Sequence, residues 1–118
     1  MNLEILKKSI HDNAVKKGFW DVPHNFGNDL MLVVSELGEC VEAHRTKTFA
    51  DLEAFEKSDL PFKDAFKKHI KDGVEDELAD AIIRLLDICE GYDIDIVKHI
   101  ELKMKYNSKR EKLHGKQY

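Results

Sequence analysis

What this sequence lacks narrows its class before any motif is considered. Nowhere do about eighteen apolar residues run together, the length a membrane-crossing helix needs. The opening MNLEILKKSIHDN carries a charge every few residues and has no apolar core of signal-peptide length. Neither secretion nor membrane insertion is expected. Positive charge is not in excess: 23 acidic residues face 19 basic ones, for a formal net charge of -4. No global field therefore exists to hold a polyanion, and stable nucleic-acid binding is not expected. Cysteine is scarce, and the two that occur, Cys40 and Cys89, sit among aliphatic residues. They read as buried reduced thiols, which suits a reducing cytoplasm. Strand-like alternation is missing, as are Asn-Gly or Asp-Gly hairpins between apolar runs. No internal repeat, low-complexity tract or linker interrupts the chain, so residues 1–118 read as one all-α domain.

What is present is helical periodicity, apolar residues returning every three or four positions. The spacing predicts a compact bundle of four to five helices. A first helix runs from about Leu3 to Lys17 with Leu3, Leu6, Ile10 and Ala14 on one stripe, and Gly18 ends it. After the loop GFWDVPHNFG, a second helix starts behind Asn28 as N-cap and continues to about Arg45, carrying Leu30, Val33, Val34, Leu37 and Val41 inward. Residues 46–72 are more polar and read as an insert or flap, with a short helix near 51–57 and another opening at Pro61. Asp72-Gly73-Val74-Glu75 has the spacing of a capping box ahead of a strongly apolar helix that runs to Glu90 and stops at Gly91. Asp93 is placed to cap a last helix carrying Ile96, Val97, Ile100 and Met104.

Two acidic pairs stand out. Glu36 and Glu39 share a face of the second helix, and Glu77 and Asp80 repeat that spacing on the helix before Gly91. In a chain this acidic, such pairs are ordinary on a solvated surface. The second pair is different in its surroundings. On a helical wheel Glu77, Asp80, Arg84 and Asp87, with Asp76 at the edge, form one polar stripe on a helix otherwise apolar over most of its girth. Such a helix lies inside a bundle or between subunits, and carboxylates there must be paired, protonated or metal-bound. Arg84, one turn from Asp80, offers an internal salt bridge as the structural answer. A divalent cation between the two pairs is the functional one. Four carboxylates without paired Cys or His favour a hard ion, Mg²⁺ first and Mn²⁺ or Ca²⁺ behind it, over zinc.

With SELGECVEAHR on one helix, DELADAIIRLLDI on a later one, and GFWDVP, KMKYNSKR and HGK around them, the chain resembles the MazG-type all-α nucleotide pyrophosphohydrolases, relatives of dimeric dUTPases and dCTP pyrophosphatases. That resemblance spans most of the chain. It implies a Mg²⁺-dependent hydrolysis of (deoxy)nucleoside triphosphate to the monophosphate and pyrophosphate, with Mn²⁺ as a possible substitute, in nucleotide-pool house-cleaning. It implies Glu36, Glu39, Glu77 and Asp80 as metal ligands, and Lys103, Asn107 and Arg110 as the triphosphate contacts. It also implies a homodimer or homotetramer whose sites use neighbouring subunits. One departure is that residues 40–76, which separate the acidic pairs, form a longer spacer than the family usually has, the excess falling in the polar insert.

Lys103, Asn107 and Arg110 recur at steps of four and three and share a helix face, where an arginine fork and a lysine charge suit phosphate oxygens. A solvated basic helix end is the structural alternative. Trp20 and His24, with Phe19 and Phe26, put aromatic surface beside the entry to the first acidic helix. They can stack on a nucleobase, or Trp20 can plug the end of the bundle. His11, His69 and His99 look isolated and superficial. In the tail, Lys116 is placed by the resemblance over the nucleotide. Water attack on the α-phosphorus needs a carboxylate to take a proton, and Glu36 or Glu39 fills that role. The rival function is a non-enzymatic helical interaction or oligomerisation module. A di-iron bundle needs a Glu-x-x-His on each of two helices, and only Glu111–His114 has that spacing.

Overall fold

A computed structural model describes residues 2–110, which form six helices with no strand among them. These are α1 (Leu3–Lys16), α2 (Phe26–Arg45), α3 (Leu52–Lys57), α4 (Phe62–His69), α5 (Val74–Gly91) and α6 (Ile96–Ser108). The sixth element arises because both short segments of the polar insert are helical. None of the six is long and apolar enough to cross a membrane.

Helix α5 is the centre, packed against α2 and α1. Its contact is built on Val33, Ala81 and Ile88, with Tyr92 against them. Small residues at the crossings, Ala14, Ala43 and Ala81, let the backbones approach. A buried ion pair joins α1 to α5, Lys7 Nζ lying 3.0 Å from Glu90 and 3.2 Å from Glu4. Cys89 is buried and Cys40 half-buried, both as free thiols; Cys40 points its Sγ at the Val74 carbonyl.

The helix starts differ from those the spacing predicts, for identifiable reasons. Asn25, not Asn28, caps α2, its side chain accepting the Asn28 N–H at 2.9 Å. The capping box at α5 does not form. Gly73 is the N-cap, while Glu75 turns away to accept the Ala50 N–H at 2.9 Å. Asp72, at φ 67°, gives its own N–H to Asp76 at 2.8 Å. Gly73 is needed because a Cβ there would lie 3.1 Å from the Ala50 nitrogen. Asp95 replaces Asp93 as cap of α6, since Asp93 takes the left-handed conformation of the turn. Gly18 does end α1 in that conformation, at φ 85°.

The insert is a tied helical hairpin. Its ends are held by Asp51 N–H on the His69 carbonyl and by Val74 N–H on the Thr48 carbonyl, both 2.9 Å. Phe62, itself exposed, meets Phe55 edge-on and Phe66 at a tilt, linking the two short helices.

Burial corrects the expected core. Of the five α2 residues assigned inward, Val33 is buried and Leu30, Val34, Leu37 and Val41 are exposed. On α5, Leu78, Ile82 and Leu85 are likewise exposed, whereas Glu77 is buried. Within one chain, α5 therefore turns its acidic stripe inward and leaves much of its apolar girth outside. Residues 98–110 are exposed throughout.

Candidate metal and nucleotide site

The α2–α5 contact brings the two acidic pairs to one place. One carboxylate oxygen each from Glu36, Glu39 and Glu77 lies within 4.8 Å of the others. Asp80, one turn beyond Glu77, borders the same space, and its carboxyl is pushed up by burial and then by the charges of Asp76 and Glu36. Glu77 is 6% exposed, and its Oε2 has no hydrogen-bond partner among the described residues. Burial, the Glu39 carboxylate beside it, and the charges of Asp80 and Glu36 raise the Glu77 carboxyl to about 7. A buried, unpartnered carboxylate facing like charges is costly, and a cation bound by oxygen ligands removes that cost. Glu36, Glu39 and Glu77, with Asp80 at the border, fit a hard divalent ion: the donors are all carboxylate, and one buried oxygen has no hydrogen-bond partner among the described residues.

Arg84 does not pair with Asp80 as its one-turn spacing suggests. Its Nε donates to Glu36 Oε1 at 2.9 Å, across the helix contact. Nearby, Asp72 and Asp76 form a second acidic group with Glu77. There Asp76 is already engaged by the Asp72 backbone.

From the carboxylates a cavity of about 480 Å³ opens between α1, α2, α5 and the loop after α1. Glu36, Asp80, Arg84, Leu32, Trp20 and His24 are among the residues that line it. Trp20 and His24 stack face to face, with ring centroids 3.8 Å apart and planes 10° from parallel. Trp20 is anchored as well as apolar, its indole N–H donating to Asp87 at 3.0 Å. His11 contacts the same carboxylate at 2.8 Å and is thus half-buried rather than an isolated surface histidine. His24 has acceptors on both sides, Asp29 at 2.9 Å from Nδ1 and the Phe19 carbonyl at 2.8 Å from Nε2. An acceptor at each nitrogen favours the imidazolium, and the Asp29 bond followed by the Phe19 carbonyl raises its pKa accordingly. Asp29 also accepts the Tyr92 hydroxyl at 2.8 Å. The wall of the cavity is therefore cross-linked to both α2 and α5.

The basic candidates lie elsewhere. Lys103 and Arg110 rest over the Tyr106 ring, 5.1 and 5.3 Å from its centroid, and neither they nor Asn107 line the cavity. Lys116 and the Glu111–His114 motif lie outside the described residues. The sequence reading gave Asp29, Tyr92 and His11 no place in the site. For His11 a signal existed in its position beside Ile10 at the edge of the apolar stripe. An aspartate in the first turn of α2 looks like an ordinary response to the helix dipole, and its burial is visible only in three dimensions. Compared with known proteins, the chain matches no family model, no curated sequence and no solved structure.

Proposed function

We propose that this chain is a divalent-cation-dependent nucleotide pyrophosphohydrolase of MazG type, with Glu36, Glu39, Glu77 and Asp80 holding Mg²⁺, or Mn²⁺ in its place. The observation that carries the reading is the convergence of Glu36, Glu39 and Glu77 within 4.8 Å around a buried carboxylate oxygen that has no described partner. The adjoining cavity with its stacked Trp20 and His24 supports a nucleobase as the rest of the ligand, stacking on an aromatic being worth about 1–3 kcal/mol. In the proposed reaction, water forms a bond to the α-phosphorus as the bridging oxygen to the β-phosphorus departs with the electron pair, releasing pyrophosphate. The cation supplies neutralisation of phosphate charge and Lewis acidity. Glu36 or Glu39 takes the proton from the attacking water, and Trp20 and His24 orient the base. Incubating the chain with a panel of ribo- and deoxyribonucleoside triphosphates and Mg²⁺ is expected to release pyrophosphate rather than orthophosphate, and chelation is expected to stop it. Failure across the whole panel, with the helical fold intact, leaves the interaction-module reading in its place.

Assembly belongs to the same reading. Leu37 and Val41 on α2, and Leu78, Ile82 and Leu85 on α5, are exposed in one chain, which supports burial against further copies as a dimer or tetramer. Lys103, Asn107 and Arg110, remote from their own cavity, then reach the triphosphate of a neighbouring subunit. Mixing inactive Glu77→Gln chains with inactive Lys103→Ala/Arg110→Ala chains is expected to restore part of the activity, because mixed assemblies regain one intact site. A monomeric mass in sedimentation at assay concentration, or no recovery on mixing, removes the shared-site arrangement. A reducing cytoplasmic location fits the two free thiols.

A further inference from the structure

Among the described residues, Arg84 is the one cation in salt-bridge contact with the carboxylate cluster, and it holds Glu36. Its side chain is 44% exposed and lines the cavity, while that of Glu36 is 13% exposed. The guanidinium thus bonds an inward carboxylate and still borders the space between the acidic residues and the Trp20–His24 wall. A planar fork with five donors and only one described acceptor keeps most of its hydrogen-bonding capacity unspent. Among the described residues Glu39 and Glu77 have no such partner, so occupancy of the cluster by a dication sets the ion and Arg84 against each other at a single residue, Glu36.

We propose that Arg84 is an exchangeable counter-ion: it occupies Glu36 in the ion-free chain, yields it to the incoming dication, and turns to the cavity as an anion-binding fork. It thereby couples cation occupancy to polyphosphate binding. This rests on the cluster being a cation site. The consequence is a pair of effects of opposite sign from one side chain. Arg84 weakens binding of the cation alone, because a bond must first be broken, and strengthens binding of an anion to the cation-loaded chain. A fixed positive charge gives the same two signs by electrostatics alone, so exchange is read from the Arg84 Nε–H, which a salt bridge kept closed on Glu36 leaves unmoved.

The test uses the full chain, with Arg84→Met to keep bulk without charge and Arg84→Lys to keep charge without the fork. Calorimetric titration with Mn²⁺ alone is expected to show Arg84→Met binding about fivefold tighter than the parent, the factor set by a partly exposed ion pair. Arg84→Lys is expected to lie near the parent. Tripolyphosphate added to the Mn²⁺-saturated chain is expected to bind roughly tenfold more weakly to Arg84→Met, as loss of a charge-assisted bidentate contact implies. The Nε–H resonance of Arg84, identified by its absence in Arg84→Met, is expected to shift as Mg²⁺ saturates the site. If the parent binds Mn²⁺ while Arg84→Met binds it equally or more weakly, or if the Nε–H signal stays unmoved at saturation, the exchange is refuted and the cation site survives. If the parent binds neither ion, the cation site falls and the exchange falls with it.

Discussion

Replacing Glu77 by glutamine is expected to lower Mg²⁺-dependent pyrophosphate release by more than about a hundredfold while leaving the ion-free chain more stable than the parent. The two effects share one cause. Glu77 is the buried member of the cluster, and burial, reinforced by Glu39, Asp80 and Glu36, pushes its carboxyl to about 7. The folded chain keeps this proton until the pH nears that value, whereas the unfolded chain gives it up near 4.5. Stability of the ion-free chain is therefore greatest below the lower value, declines as the pH rises through the interval, and is flat above it. The decline amounts to on the order of 2 kcal/mol, allowing for relaxation of a coupled group. Glutamine is neutral at every pH, and its amide can donate to Glu39, so the Glu77 share of the slope is expected to vanish, leaving the declines set by Asp80 and His24, and the melting temperature at pH 8 in chelator is expected to rise by about 5 °C. Added Mg²⁺ should then stabilise the parent but not Glu77→Gln. Thermal melts across pH 4–8, with and without Mg²⁺, measure all of this. A Glu77→Gln chain that keeps its activity within tenfold, or whose Mg²⁺ stabilisation matches the parent, refutes the role given to the cluster.

The acidic stripe of α5 was legible in the sequence because a helix so apolar leaves only one direction for Glu77, Asp80, Arg84 and Asp87 to share. That Glu77 and Arg84 meet Glu36 and Glu39 follows once α2 and α5 pack. Which residues pair across that contact was not legible. Arg84 lies equally well placed by spacing for Asp80, and only the relative position of two helices awards it to Glu36. The apolar residues of α2 illustrate a different limit. Periodicity marks Leu30, Val34, Leu37 and Val41 as a face that avoids water, yet it says nothing of whether the cover comes from the same chain. In one chain the cover is incomplete, and only Val33 is buried among the five. Capping failed at Asp72 for a local reason. The sequence pattern ranks Asp above Gly at an N-cap, but close approach of the Ala50 backbone requires Gly73 there, and Glu75 finds a better use on the Ala50 N–H.

Gly91→Ala is expected to destabilise the chain by about 1–3 kcal/mol and to dislodge the aromatic wall of the cavity, although helix propensity alone argues the opposite. Gly91 is the last residue of α5 and is not in the left-handed region. By propensity, alanine in a helix interior is favoured over glycine by about 1 kcal/mol, and somewhat less at a helix end. Sterics decide the sign, because a Cβ at Gly91 would overlap the Trp20 ring atoms Cη2, Cζ2 and Cζ3. Trp20 cannot step aside freely. Its N–H is bonded to Asp87, its face is stacked on His24, and its edge meets Tyr92 at 5.9 Å. Breaking the indole hydrogen bond adds about 1 kcal/mol to the overpacking. Since Trp20 is the sole tryptophan, its own fluorescence reports the displacement, and a red-shifted emission should accompany a lower melting temperature. Removing the ring reverses the result: in a Trp20→Ala background, where the clash is gone, Gly91→Ala is expected to stabilise by up to about 1 kcal/mol. The same substitution that costs stability beside the indole thus restores some in its absence. An unchanged emission maximum together with an unchanged or higher melting temperature in the Trp20 chain would contradict the packing that shapes this end of the site.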